Sequence, residues 1–474
     1  MTSGRRVPTV LFLIADTGGG HRSAANAIRA AMHLIAPETP GDGQPLSPPA
    51  IDVNALPFTP QVLIPANWNG ATRPWRAEIH DIFQECGRLP LRRTVRLYGP
   101  TVEKTPTVYS GFYHVTNTAP AYAALSAITQ RLLSQGLCER LEELRPDVIV
   151  SVHPLLTHPT LNIIRMMGMR VPFLTVVTDL IKFHRAWAEP EVDACSVPTE
   201  AARKLVIELG MAPEKVHLIG MPIHPKFCLL PADRGQMRRD LGLDPDLLTV
   251  LLVGGGDGVG GIGEATLALA ASQLPIQIIA VTGRNQQLYQ ELSARQDSLG
   301  VPAKILGFVQ NMPDLMHAAD VIVTKAGPGT IMEALSCGLP IILSSAIPGQ
   351  EVGNIAFVAD HHIGVHAPTP EAIVDAVRSI LVMSPSERDI MRNRALQLSD
   401  PRASFEIARL IFSYLPSPRS ISAWNQMPRP HVLYVPARRP RRRVQRVVRS
   451  RQTRIAANGS PLRRLFAKRR TPKR

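Results

Sequence analysis

What most constrains this chain is a rhythm. Between residues 7 and about 415, short apolar runs alternate with helix-patterned segments, and run after run ends in glycine or a polar residue. In the first half the runs are "TVLFLIA", "DVIVSV" (Asp147 to Val152), "FLTVVTD" (Phe173 to Asp179), "ACSVP" and "VHLIG". In the second they are "LTVLLVGGG", "PIQIIAVTG", "AKILGF", "DVIVTKAG" and "PIILSS". Continuous apolar runs joined through helices are the pattern of parallel strands covered on both faces. A polar, proline-containing connection near residues 229 to 247 separates the two series. The fold class is therefore α/β, with two consecutive Rossmann-like, doubly wound domains facing an interdomain cleft. In such sheets ligands bind outside the carboxyl ends of the strands, so the strand-end loops are where function is sought.

Composition narrows the class. The chain has 474 residues, 45% of them hydrophobic, with a mean hydropathy of +0.02, enough for two cores of ordinary size. No apolar run approaches the roughly 20 residues that span a bilayer. Val7 to Ala15 is followed by Asp16 and three glycines instead of a small-residue cleavage site, and reads as a strand in a cytoplasmic protein. The five cysteines are scattered and never spaced C-x-x-C, so neither a disulfide framework nor a zinc site is indicated. The formal charge of +15 belongs to one end. From Ser417 onward there are 18 of the 53 Lys and Arg and none of the 38 acids, which leaves the rest at −3.

Three glycine-rich junctions follow strands and precede helices. "GGGDGVGGIG" (Gly254 to Gly263) suits phosphate oxygens, because backbone N–H groups and a positive helix end converge there. It lacks the Lys-Ser/Thr of a P-loop and the acidic residue of a dinucleotide fingerprint, and its bland reading is a tight turn. "KAGPGTIME" (Lys325 to Glu333) allows close approach at Gly327 and Gly329 and places Glu333 in the first turn of the next helix, where a carboxylate can accept two sugar hydroxyls or merely complement the helix dipole. "IPGQEVGN" (Ile347 to Asn354) offers Gln350 and Glu351 to a polyhydroxylated ligand or to a helix cap. A further glycine run, "IADTGGGHRS", precedes His21.

Taken in order, "LIADTGGGHRSAANAI", "PDVIVSVHPLLTH", "VVTDL", "VGGGDGVGG", "VTGRNQQL", "GFVQNM" and "TKAGPGTIMEALSCGLPIILSSAIPGQEVGN" resemble the monogalactosyldiacylglycerol synthases and the bacterial processive diacylglycerol glucosyltransferases of glycosyltransferase family 28. The resemblance spans roughly residues 8 to 405 and implies a GT-B fold, a UDP-sugar held mainly by the second domain, and inversion at the anomeric carbon with no metal and no cofactor. Carried over by position, Gly255 and Gly256 meet the diphosphate, with Gly327, Gly329 and Thr330 completing the donor loops. Phe308, Val309 and Met312 frame the uracil, Glu333 binds the ribose, Gln350 and Glu351 hold the hexose, and Arg284 lies near the donor. One departure stands out. Where the family has arginine in "G-x-P-[VI]-R-P", this chain has "GMPIHP" with His224, and a neutral imidazole lacks the guanidinium fork.

An inverting transfer needs a base for the acceptor hydroxyl. Among 14 histidines, His21 is best placed, at the end of the first strand with Gly19 and Gly20 giving clearance. Asp179 is expected to orient an imidazole. His153, His158 and His184 lie at other strand ends of the same domain, each with a bland structural reading beside the functional one. Gly19, Gly20, His153 and Trp75 are the acceptor-side candidates.

The expected domains are 7–228 for acceptor and base, 229–384 for the UDP-sugar, 385–416 packing back on the first domain, and a disordered basic tail, 417–474. The long segment from 37 to 120, rich in Pro, Trp, Tyr and Arg, is expected to be irregular and functional. Its stretch from Asn67 to Gly99 and the tail are the candidate contacts with an anionic membrane surface; the tail lacks the aromatic interleaving of a nucleic-acid binder. The expected enzyme transfers a hexose, galactose favoured over glucose, from a UDP-sugar to diacylglycerol at the cytoplasmic face of a membrane. The alternatives are the same donor chemistry on a polyprenyl-linked sugar, or a UDP-sugar sensor with a membrane-binding tail.

Overall fold

A computed structural model of the chain describes residues 7–17, 19–36, 38, 51, 56, 58–60, 75–89, 91–93, 105–229, 233–255 and 260–416. All of them lie within one compact unit, Met1–Pro430. The tail, Gly18, Gly256 and much of the 67–99 segment lie outside the described residues.

Twelve strands form two parallel sheets among the described residues. The first contains β1 (Thr9–Ile14), β2 (Arg76–Asp81), β3 (Val148–Ser151), β4 (Phe173–Val176), β5 (Ala194–Val197) and β6 (Val216–Leu218), in the order β2-β1-β3-β4-β5-β6. The second contains β7 (Leu248–Val253), β8 (Ile276–Val281), β9 (Ala303–Leu306), β10 (Val321–Lys325), β11 (Ile341–Ser345) and β12 (Gly364–His366), in the order β12-β11-β10-β7-β8-β9. Both are doubly wound, as expected, and the order reverses at β1/β3 and at β7/β10. Those two switch points set where a ligand crevice opens.

The strand runs are apolar throughout because both faces are covered. In β1, Val10, Phe12 and Ile14 enter one core with Ile28, Met32 and Phe412, while Leu11 and Leu13 enter another with Leu137, Leu141 and Trp187. In β7, Val250 and Leu252 face one side, and Leu251 and Val253 the other. This period-two division is what a continuous apolar run does in a buried strand.

The 37–120 segment is not wholly irregular. It holds β2, the short helix Ile82–Glu85 and the helix Pro106–Thr116. β2 reads "RAEIHD", polar enough to look like a loop, because it is an edge strand paired on one side only, to β1. β12 escaped notice likewise, as three residues at the opposite edge of the second sheet.

After the second sheet, the helix Pro385–Leu398 packs on the helix Pro328–Ser336 of that same half. Only the helix Ala403–Tyr414 returns to the first, where Phe405, Ala408, Ile411 and Phe412 join the β1 core against the helix Gly20–Ile35. Trp75 is sealed in that core. It is 0% exposed, its indole Nε1 donates to the Ala36 carbonyl at 2.7 Å, and its ring meets Phe412 edge-on at 5.5 Å. The acceptor-contact expectation for Trp75 is therefore corrected: the residue offers no surface to a ligand. No helix among the described residues is long and apolar enough to cross a membrane.

Candidate functional site

At the β1/β3 switch the chain leaves β1 through Asp16 and Thr17, turns at Gly19 (φ 79°) and enters the helix Gly20–Ile35. The positive φ demands glycine there. Arg22 clamps this turn, its Nε and Nη2 reaching Asp16 at 2.8 and 2.7 Å. The loop presents His21, whose Nδ1 lies 3.4 Å from Thr178 Oγ1 and whose ring sits 4.6 Å from the His153 ring and 6.2 Å from Trp187. Burial pulls the His21 imidazole down to about 4, against opposing pulls from a hydrogen bond to Val152 backbone and the Asp16 charge. It is thus neutral at pH 7, which a proton acceptor requires.

His153 caps the strand-to-helix turn before Pro154–Met166. Its Nε2 is 3.5 Å from Thr17 Oγ1, its Nδ1 has no partner among the described residues, and burial holds it well below the usual histidine range. Two neutral imidazoles therefore stand together at the end of the central strands. The other two histidines are spoken for elsewhere. His158 pairs with Glu189 at 2.6 Å, and buried His184 accepts from the Ala186 N–H and contacts Thr116 Oγ1.

Asp179 orients no histidine, contrary to expectation. One carboxylate oxygen accepts from Trp187 Nε1 at 2.7 Å, and a further hydrogen bond comes from the Gln350 side chain of the second half. Burial raises the carboxyl to about 6 in spite of both bonds.

On the facing side, β7 is followed by Gly254 and Gly255 (φ 70°), and Gly260 and Gly261 lead into the helix Ile262–Ala271. Ser344 Oγ donates to the Gly260 carbonyl at 2.9 Å. Lys325, the last residue of β10, lies where this loop meets the Gly327 turn. A Cβ at Gly255 would come within 3.6 Å of Lys325 Cε, and one at Gly327 within 2.9 Å of Lys325 Nζ. The ammonium pairs with Glu351 Oε1 at 2.6 Å, and Glu351 Oε2 accepts the Ile347 N–H. Glu351 is thus buried with both oxygens occupied. Instead of facing a hexose directly, as expected, it anchors Lys325.

The helix Pro328–Ser336 begins with Gly329 and Thr330 half-buried and with open space where a Gly329 side chain would stand. Glu333 is its sixth residue, so it sits in the second turn rather than the first. Burial pushes its carboxyl up to about 7. Phe308 is 58% exposed under the Arg284 guanidinium, whose Cζ is 5.3 Å from the ring centroid, while Val309 and Met312 pack at the core edge below. Arg284 also reaches the first half: a Cβ on Gly19 would lie 4.0 Å from its Nη1. His224 supplies no charge. It caps the turn Pro225–Cys228 by accepting from Lys226 N–H, and burial lowers it to about 4.

Residues 69–223 match the model of the monogalactosyldiacylglycerol (MGDG) synthase family, and residues 249–351 match the glycosyltransferase family 28 C-terminal domain. The chain is 34% identical over 436 residues to monogalactosyldiacylglycerol synthase 3, chloroplastic, of Arabidopsis thaliana, covering 89% of this chain and 84% of that relative. The chain belongs to the monogalactosyldiacylglycerol synthase family. It is also 33% identical over 422 residues to the probable monogalactosyldiacylglycerol synthase 2, chloroplastic, of Oryza sativa subsp. indica, covering 87% of this chain and 82% of the relative. Among solved structures, the glycotransferase of kitacinnamycin aligns at a TM-score of 0.51 and 14% identity, over 87% of this chain and all of that one. That likeness supports the GT-B fold and nothing finer.

In this monogalactosyldiacylglycerol synthase relative, two cleft residues escaped the sequence reading. Lys325 had a visible signal, a lysine ending a strand just before a glycine turn. Tyr109 had none, because its hydroxyl bonds Gln350 Oε1 at 2.9 Å from a helix, Pro106–Thr116, that lies far away in sequence. Among the described residues no three His, Cys, Asp or Glu converge as a metal site.

Proposed function

We propose that this chain transfers galactose from UDP-galactose to the 3-hydroxyl of 1,2-diacylglycerol with inversion, at a membrane surface. The acceptor oxygen forms the new bond to the anomeric carbon as the bond to the UDP oxygen breaks. His21 takes the hydroxyl proton, and UDP leaves carrying the electron pair. The observation that carries the reading is a neutral imidazole set opposite cationic donor machinery: His21 follows the Gly19 turn, and Arg284 reaches to that turn from the other half. A neutral base remains usable at pH 7 because its ring holds no proton.

Charge develops on the leaving diphosphate. Lys325, Arg284 and the helix starts at Ile262 and Pro328 are the groups that balance it. Lys325 fills the part that His224 leaves without charge. Glu333 receives the ribose hydroxyls as a carboxylate, and Phe308 lies against the uracil.

The membrane partner of this reading is an anionic surface engaged by the basic stretch from Ser417, which gains on the order of 1 kcal/mol per Lys or Arg near such a leaflet. Purified protein incubated with diacylglycerol vesicles and either UDP-galactose or UDP-glucose tests the whole. Galactosyl diacylglycerol of β configuration is expected, and transfer to diacylglycerol from neither donor would refute the reading. Removing residues 417–474 is expected to reduce binding to anionic vesicles while sparing turnover of detergent-dispersed acceptor.

A further inference from the structure

Thr178 follows β4 and is 4% exposed. Among the described residues its hydroxyl meets one hydrogen-bond partner, His21 Nδ1 at 3.4 Å. A buried hydroxyl is costly to leave unpaired, and His21 is what satisfies this one. The next residue, Asp179, takes other partners, Trp187 and Gln350. The carboxylate that the sequence offers to an imidazole therefore turns away, and the hydroxyl beside it takes its place.

A neutral imidazole has one N–H and one bare nitrogen, and a general base works only with the bare one toward its substrate. Two groups of the protein bond the His21 ring, the Thr178 hydroxyl and the Val152 backbone carbonyl. A carbonyl only accepts, so the ring's N–H is directed into the protein. The His153 ring packs edge-on at 4.6 Å and Trp187 at 6.2 Å. A hydroxyl also differs from a carboxylate in charge. It orients the ring without the upward pull that a neighbouring anion exerts on an imidazole, and burial draws His21 down to about 4.

We propose that Thr178 is the positioning residue for the base, holding the ring proton on Nδ1 so that Nε2 stands bare toward the acceptor hydroxyl. This rests on His21 being the base. As the acceptor oxygen bonds the anomeric carbon, its proton passes to Nε2 and the ring becomes an imidazolium. Nδ1–H then donates to Thr178 Oγ1 from a charged group, and such a bond is roughly twice as strong as one between neutral groups. Catalytic contacts of this kind are long before substrate arrives and tighten as it reacts. The gain belongs to the transition state, so it acts on kcat and leaves substrate binding alone.

The test uses the full chain with UDP-galactose and diacylglycerol vesicles. Thr178→Val removes the hydroxyl and keeps the branched shape. It is expected to lower kcat about 10- to 100-fold, with KM for both substrates and Kd for UDP near those of the parent. Thr178→Ser, which keeps the hydroxyl, should regain most of the loss. In a His21→Ala background Thr178→Val is expected to lower kcat no further, because Thr178 acts through His21. Nitrogen NMR of histidine-labelled protein, with the His21 signals identified by their loss in His21→Ala, should show Nδ1 protonated in the parent and mixed tautomers in Thr178→Val. If Thr178→Val does not fold, Thr178→Ala carries the same expectations. Parental kcat without the hydroxyl, an equal loss in Thr178→Ser, an additive loss in the double variant, or a parent ring protonated on Nε2 each overturns the proposal. Parental kcat in His21→Ala overturns the base itself, and is told apart from these by appearing with Thr178 intact.

Discussion

Lys325 Nζ stands 2.6 Å from Glu351 Oε1, and this ion pair ties the strand end of β10 to the loop that carries Gln350. The ammonium keeps two further N–H donors beside the glycine turns at Gly255 and Gly327.

Removing the cation should do two separable things. Lys325→Ala leaves a buried carboxylate unpaired, which costs about 3–5 kcal/mol, and lowers the melting temperature. It also removes a diphosphate contact, so UDP affinity should fall about tenfold or more. The double variant Lys325→Ala/Glu351→Gln is expected to recover the melting temperature and not the affinity. Recovery of both in calorimetry would show that Lys325 serves stability alone.

His21→Ala should lower kcat by about 10² or more and leave the Kd for UDP-sugar near that of the parent. With the ring pulled down to about 4 by burial, the base is ready across neutral pH. Activity owed to His21 is therefore lost only as pH falls through about 4, well below where an ordinary histidine would titrate. A kcat profile whose acid limb is centred near 6.5 and vanishes in the variant would contradict the assigned environment.

Glu333 sets a second pH dependence, of opposite consequence for binding and for stability. Its carboxyl keeps the proton up to about 7 in the fold. If ribose hydroxyls donate to the carboxylate, UDP affinity rises about tenfold between pH 6 and 8 and then levels. The unfolded chain releases that proton near 4.5, so the folded state binds more protons between the two values and stability falls as pH rises through that window. Glu333→Gln should flatten both curves, measured by UDP titration and by urea melts.

Trp75→Ala is expected to cost about 3–5 kcal/mol in urea melts, because a fully buried indole leaves a cavity against Phe412. Trp75→Phe, which keeps most of the volume, should leave the KM for diacylglycerol unchanged. A raised acceptor KM in a variant that melts normally would return Trp75 to the acceptor surface.

The fold and much of the site are legible along the chain for one reason. Apolar runs in β1, β3, β4, β7, β8 and β10 are long enough, and covered on both faces, so their composition alone marks them. Glycine-rich loops then follow β1, β7 and β10 and mark strand ends where backbone can approach a ligand. The failures share a cause as well. β2 and β12 sit at sheet edges, where one-sided pairing tolerates polar residues, and a tryptophan beside arginines looks like a surface feature until a helix from 330 residues onward, Ala403–Tyr414, closes over it.

By itself the sequence determined the two doubly wound sheets, the loops that face each other, the family, and His21 as the residue after a run of glycines. Only the tertiary structure decided what each polar side chain is bonded to. Asp179 is given to Trp187 and Gln350 instead of a histidine, Glu351 to Lys325 instead of open cleft, and Gln350 to Tyr109. Backbone pattern is local and repeats every few residues, so it can be read along the chain. A buried polar group takes whichever partner packing brings within 3 Å or so, and that partner comes from a segment whose approach no local pattern encodes.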